Sequence, residues 1–417
     1  MSQTANVFST PDNAIGNLNG LFKEVYADKL KELIPDGVKL LNMIKFSQRS
    51  DSLGNLFHQP VVLGLEHGIT FAQSTDDAFN LMPPISGVIK DAQVRGSPAV
   101  LRSVLGYNAA SRSQSSAGAF MEATKFLVSN MLRSMAKKIE IEMLYGQVGY
   151  ATVASGGGTA ALTITTAEWA PGIWAGSENM PIEIRSANGA TSRGSAQVLN
   201  ANMDTRVVTT DSVIPGVIAG DVVWHKGAYG NEFIGIHKIL TTTTGSLFNI
   251  DVSQYNLFQG NQYSASSGAL SFAKLNLATS RGVEKGLEGK LSAFVNPRAW
   301  ANMLSDQAAL RRYDGSYSKK KLENGSEALS FYAQNGEIEI IPSIYVKEGY
   351  SYLLSMEDWQ RVGSQDITFN RPGQGDRFFR DLDNAAGYEL RCFTDQSVFC
   401  SAPGRQIIIT NIVNSTT

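Results

Sequence analysis

From Ala117 to Tyr145 the chain runs for 29 residues without a proline, and after Gly118 without a glycine. Across that stretch Phe120, Thr124, Leu127, Val128, Met131, Leu132, Met135, Ile139 and Met143 recur at spacings of three and four. That spacing sets them on one face of a helix. At about 1.5 Å per residue the helix spans roughly 43 Å, far longer than the usual dozen residues. A fold must be built along a beam of that length, which suits a scaffold better than a pocket.

The segments on either side follow other rules. Residues 1–20 are polar, rich in Asn, and carry Pro11 and Gly16, as a flexible arm would. Residues 21–44 hold Leu21, Phe22, Val25, Leu30, Leu33 and Ile34, broken at Pro35-Asp-Gly, which predicts two short helices joined by a turn. Between 51 and 110 the pattern is strand-like, as in Pro60-Val-Val-Leu and Gly68-Ile-Thr-Phe, with breaks at Gly54, Gly64, Pro83, Pro84, Gly87 and Pro98. This stretch has too little contiguous apolar surface for a core of its own, so it reads as a long β-loop lying on something else. A serine among residues 111–116 can then cap the long helix.

Residues 150–270 contain only 13 charged side chains and are dense in Thr, Ser, Gly and Val. Candidate strands lie at 161–165, 181–185, 206–209, 221–225 and 233–240, separated by Asn188-Gly, Ala219-Gly-Asp and Thr244-Gly. The region reads as an inserted all-β module, sandwich or barrel. After it come a helix over 272–288, a strand over 291–295, a helix from Pro297, and strands over 337–341 and 351–354. Residues 388–413 read as strand, turn and strand, with Thr394-Asp-Gln-Ser as the turn. Helices alternating with strands outside the insertion make the fold class α+β.

Composition narrows the function. At 417 residues, 43% hydrophobic and 18% charged, the chain is globular. A formal net charge of −2 gives no broad positive field for gripping phosphates, which argues against sequence-specific nucleic-acid binding. No apolar run approaches the roughly 20 residues of a membrane span, and the first residues lack the pattern of a signal peptide, so work in a cytoplasm is expected. Cys392 and Cys400 are the only cysteines and are expected to be free thiols. Opposed strands closing on the 394–397 turn would leave their sulfurs out of register.

Chemical motifs fail in detail. Gly156, Gly158 and Ala161 have dinucleotide-loop spacing, but Leu162-Thr-Ile-Thr-Thr favours a strand where a helix N-terminus is needed. Gly286-Leu-Glu-Gly-Lys-Leu is too short for a phosphate loop and lacks its hydroxyl residue. His58, His67, His225 and His237 read as exposed or satisfied loop histidines. His67 beside Glu66 would point to the opposite face of a strand. Lys319-Lys-Lys beside Arg311 and Arg312 is a basic run of the kind usually solvated. Arg371, Arg377 and Arg380, interleaved with Asp376, Asp381 and Asp383, suit an ion-paired interface loop and equally a solvated surface loop. No catalytic, cofactor or metal constellation results, and no enzyme is expected.

The order of parts resembles that of tailed-bacteriophage major capsid proteins with the Hong Kong 97-type fold. The resemblance is carried by Leu21-Phe-Lys-Glu-Val-Tyr with Leu33-Ile-Pro-Asp-Gly, by Phe294-Val-Asn-Pro-Arg-Ala-Trp, and most by Tyr388-Glu-Leu-Arg-Cys-Phe-Thr-Asp-Gln-Ser-Val-Phe-Cys-Ser-Ala-Pro-Gly-Arg-Gln-Ile. It implies an N-terminal arm at 1–50, an extended β-loop at 51–113 and a spine helix of the peripheral domain at 114–149. The inserted module at 150–270, an axial domain at 271–375 and a return to the peripheral domain at 376–417 complete the division.

The function so implied is structural. Hexamers and pentamers of this chain would close an icosahedral shell around double-stranded DNA, which they touch nonspecifically. Portal, scaffolding and decoration proteins are the implied partners, with no cofactor and no membrane. The implied location is the virion capsid, assembled in a bacterial host's cytoplasm. Val61, Leu63, Ile69, Phe71, Asp76, Asp77, Arg371, Arg377 and Arg380 are the expected inter-subunit contacts. The loop's single lysine, Lys90, puts lysine-to-asparagine crosslinking in doubt. The rival readings are a bacterial nanocompartment shell and a glycan-binding virion protein using Trp169, Trp174 or Trp224 as stacking platforms.

Overall fold

The computed structural model describes residues 37–47, 56–75, 78–106, 117–305, 329–369, 380–381 and 387–414. Within the long helix, side chains are described from Phe126 onward. The first expected helix of residues 21–34, the arm before it, the 311–321 basic residues and the Asp376 and Asp383 carboxylates lie outside the described residues.

The helix Ala117–Tyr145 has the limits that its sequence predicts. Leu127, Met131 and Met135 are buried at spacings of four, as an amphipathic stripe requires, whereas Leu132 on the stripe's margin stays 39% exposed. From Ile139 to Tyr145 every residue is buried, Glu140 and Glu142 included. The stripe therefore describes only the first part of the helix. The last two turns run into the core.

Two sheets and a barrel are arranged around this end of the helix. A five-stranded sheet contains Phe46–Ser47, Trp359–Thr368, Gly387–Cys400 and Arg380–Asp381, with Ser97–Gly106 paired along Gly387–Cys400. Leu390, Cys392 and Val398 of this sheet share one core with Met131, Met135 and Ile139 of the helix. A six-stranded sheet has the order Asn261–Gly268, Ile407–Ile412, Ser351–Leu354, Leu291–Val295, Gly336–Pro342, Leu329–Ala333. It carries a second core with Leu275 of the helix Phe272–Val283 and Met303 of the helix Pro297–Ser305. Ser271 caps the first of these helices, its hydroxyl accepting from the Lys274 N–H at 3.4 Å.

Six antiparallel strands, Ala151–Ser155, Ala161–Ile164, Pro181–Arg185, Ser192–Asn202, Val207–Thr210 and Val222–His225, close into a barrel. Val153, Leu162, Ile164, Ile182, Ile184, Val198, Val208 and Val223 are at most 2% exposed, so side chains fill the interior. The glycine-rich stretch is the hairpin between its first two strands, with Gly156 at φ 150° and Gly158 at φ 78°. It leads into no helix N-terminus and offers no dinucleotide site.

Several sequence expectations need correction. Residues 233–240 are not a strand: Gly235 precedes a short helix, Ile236–Thr241, with Ile236, His237, Ile239 and Leu240 all buried. A short, mostly buried apolar run, here with only Lys238 exposed, has too little periodicity to separate helix from strand. The expected module running to residue 270 extends past the barrel, because Asn261–Gly268 pairs in parallel with Ile407–Ile412 in the six-stranded sheet. Trp359–Thr368, assigned with residues 271–375, lies in the five-stranded sheet beside the helix. The 376–417 segment divides between the two sheets. Nor does a turn form at Thr394: Gly387–Cys400 is one continuous strand, and the reversal comes at Pro403–Arg405.

Candidate assembly surface

Strands Phe57–Gly64 and Val88–Val94 form an antiparallel hairpin that belongs to none of the sheets above. Its root is fastened to the body. Ala92 and Val94 are 0% and 5% exposed, Phe57 meets the Phe399 ring at 5.5 Å, and the Gln93 N–H donates to the Phe248 carbonyl at 2.9 Å. Val61 and Leu63 rest half-buried on the same core. Side chains alternate along a strand, so the neighbours point away: Val62 is 64% and Ile89 65% exposed.

Beyond Gly64 the chain leaves the body. Leu65, Ile69, Phe71, Phe79, Leu81 and Met82 are all more than half exposed, Phe71 at 90%. A few local bonds shape this tip, including the His67 N–H to the Ile85 carbonyl and the Met82 N–H to Thr70 Oγ1 at 2.9 Å. A two-stranded ribbon is marginal in water, and a contiguous apolar patch on a monomer marks a contact surface. Full burial of one such side chain is worth about 1.5–3 kcal/mol.

The expected contact residues therefore separate. Val61 and Leu63 face their own core, while Ile69 and Phe71 face outward. Val62, Ile89 and Leu81 belong to the outward surface and escaped notice; the period-two alternation from Phe57 was the signal that could have found the first of them. Asp76, Asp77, Arg371 and Arg377 lie outside the described residues. Arg380 stands opposite Glu389 in the sheet, and its side chain also lies outside the described set.

The ionisable groups of the interior serve as anchors. The Glu140 carboxylate accepts the backbone N–H groups of Lys39 at 3.2 Å, Leu40 at 2.9 Å and Leu41 at 2.7 Å, fixing the short helix Leu40–Met43 to the long one. Glu142 accepts the Phe233 N–H at 3.0 Å, and Lys138 pairs with Glu232 at 2.6 Å. Lys347, 1% exposed, donates to Glu168 at 2.6 Å and to the Gly149 carbonyl at 3.2 Å, and lies 4.2 Å from the Tyr145 ring centre. Glu168 also accepts from the Tyr350 hydroxyl at 2.7 Å. Arg206 of the barrel reaches Glu348 at 3.0 Å, tying the barrel to the segment before the strand Ser351–Leu354.

Burial pushes the pKa of His237 down to about 4, with the Lys347 charge acting in the same direction, and its Nδ1 lies 2.9 Å from the Tyr352 hydroxyl. It is a core residue of a helix, not a loop histidine. His58 pairs with Asp91 across the hairpin at 2.6 Å. Trp169 and Trp174 are each 1% exposed and stacked at 5.8 Å, and Trp224 is 5% exposed, which removes them as glycan platforms. Among the described residues no group of three or more His, Cys, Asp or Glu side chains converges as metal ligands. The geometry supports docking of surfaces, since the anchors are buried and the apolar tip is open.

No protein-family model matches this sequence, and no curated protein matches it by sequence. Its chain path does match solved structures over nearly its whole length. With the cyanophage A-1(L) capsid asymmetric unit the TM-score is 0.56 at 11% identity, covering 95% of this chain and 99% of that one. The capsid of a native GTA particle gives 0.50 at 8% identity, covering 97% and 100%, and the empty GTA particle gives 0.50 at 8% identity, covering 94% and 96%.

Proposed function

We propose that this chain, which has the Hong Kong 97-type capsid fold, is a shell subunit that closes into particles with copies of itself. The observation that carries this reading is the hairpin, whose apolar outer row and tip find no cover among the described residues of their own chain. An isolated subunit pays for that exposure, whereas an assembly buries it at every contact. The buried polar ties fit the same role, because a subunit that bears load from its neighbours gains from a long helix fastened to the helix Leu40–Met43, to Glu232 and Phe233, and to Lys347. Its function on this reading is structural rather than enzymatic.

In its finer form the proposal is a bacteriophage major capsid protein. Hexamers and pentamers would enclose double-stranded DNA in the virion, with portal, scaffolding and decoration proteins as partners. The near-neutral net charge supports it, since a strongly basic wall would hold DNA against packing. Electron microscopy of the purified full-length protein, expressed alone and isolated from its native source, tests both levels. Closed icosahedral particles are expected, filled with nuclease-protected DNA in the native material. Particles filled with protein would make it a compartment shell, and a stable monomer at high concentration would end the shell reading.

A further inference from the structure

Between the helix Ile236–Thr241 and the strand Asn261–Gly268 the chain makes a small hairpin of its own, Ser246–Leu247 against Ile250–Asp251, closed by Phe248 and Asn249. Both closing residues are left-handed, at φ 50° and 66°. A two-residue turn of this kind suits Asn or Gly, because a side chain as bulky as phenylalanine crowds its own backbone there. Asn249 conforms and Phe248 does not. Strain of that sort persists only where the surroundings hold it, and it points to a use for the side chain.

What Phe248 touches is the root of the projecting hairpin. Its ring is buried, centred 5.3 Å from that of Phe399, which in turn meets Phe57 of the strand Phe57–Gly64 at 5.5 Å. Its carbonyl accepts the Gln93 N–H of the strand Val88–Val94 at 2.9 Å. Nearer the tip, the Lys90 ammonium lies 6.0 Å from the centre of the Tyr255 ring, on the segment that follows the small hairpin. Leu247, Ile250 and Val252 are buried in the main core, so the small hairpin is itself a fixed point. The fastenings at Gln93 and Lys90 stand about 10 Å apart along the strand. One fastening would leave a pivot, whereas two set a direction. Val88 is about 17 Å from Gln93, so turning the strand by about 10° moves it by about 3 Å, enough to misplace a packed contact. We propose that Phe248 and Tyr255 are positioning residues that latch the projecting hairpin at one angle to the body, and that this angle fixes the size of the particle. The inference rests on the shell reading above and adds to it what orients the contact surface. It also gives Lys90 a role within its own subunit.

The test compares three full-length variants: Phe248→Gly, which relaxes the turn and removes the ring; Tyr255→Leu, which keeps bulk but loses the ring face; and Tyr255→Phe, which keeps that face. Circular dichroism and urea midpoints report the fold, and electron microscopy of the particles reports their diameters. Phe248→Gly and Tyr255→Leu are expected to fold and then either fail to close or give particles whose spread of diameters is about twice that of wild type or more. Tyr255→Phe is expected to match wild type. A role in the core alone would lower the urea midpoint and leave the diameters unchanged, and that result in folded Phe248→Gly and Tyr255→Leu overturns the latch while leaving the shell reading intact. Should Phe248→Gly not fold, Tyr255→Leu and Lys90→Met, whose side chain is on the exposed side of the contact, decide in the same way. Failure of the unmodified chain to form any particle would instead sink the shell reading itself.

Discussion

Glu140 and Leu40 stand 100 positions apart in sequence and 2.9 Å apart in space, carboxylate oxygen to backbone N–H. With Lys39 and Leu41 bonded to the same carboxylate, one side chain satisfies three of the N–H groups that the start of a helix leaves open. Glu140→Ala would strand these donors in the core. At about 1–3 kcal/mol for each group left unsatisfied, the variant should lose roughly 3 kcal/mol or more, read as a lower urea midpoint. Glu140→Gln, which keeps the volume and one acceptor, should lose less. Equal stability of Glu140→Ala and wild type would remove the clamp from the account.

Burial pushes the carboxyls of Glu140 and Glu142 up to about 7 from an ordinary 4.5, against the pull of the N–H groups on Glu140 and of Lys138 on Glu142. Between those values the folded chain keeps protons that the unfolded chain has released. Their contribution to stability is thus full below about pH 4.5, falls as pH rises, and is flat above about 7. Glu142→Gln removes one of these titrations. Urea unfolding at several pH values should show the difference between variant and wild type shifting in the variant's favour across that window; a constant difference would show that Glu142 titrates normally.

Cys392 and Cys400 lie on one strand, eight positions and so about 26 Å apart, too far to join. Both are buried, and burial raises both thiols, Cys392 to about 11. A thiol reagent at neutral pH should find neither in the folded chain and both in denaturant without reductant. Rapid labelling of the native protein would contradict the packing described.

Assembly and folding should separate at the hairpin, and the residues to remove are 65–87. Gly64 and Val88 face each other across the ladder, so a two-residue Asn-Gly turn can join them. A longer excision would take out Ala92 and Val94, which are part of the subunit's own core. The trimmed chain should keep its circular dichroism and cooperative unfolding yet sediment as subunits or small rings. Normal closed particles would show that the tip is not needed, and an unfolded chain would make it part of the core.

The amino-acid sequence by itself determined the elements whose signals are local. The long helix kept its predicted limits because 29 residues without an interior proline, with a repeating apolar face, leave the backbone no competitive alternative. Strands at 181–185, 291–295 and 351–354 fell where β-formers lie between turn residues. That Val61 and Val62 take opposite faces was legible too, since a strand shows alternate faces, but which of them meets the core was not, and Val61 was expected at an inter-subunit contact. What tertiary structure decided is everything settled by a partner distant in sequence. Asn261–Gly268 left the β-module because Ile407–Ile412 offered it an edge; residues 236–241 form a helix whose Ile236, His237, Ile239 and Leu240 are buried while Lys238 stays exposed, a pattern the apolar run alone did not declare. Hydrogen bonds within a helix or a turn are written in neighbouring residues, whereas strand pairing and the burial of charge depend on which distant surfaces the folded chain brings together.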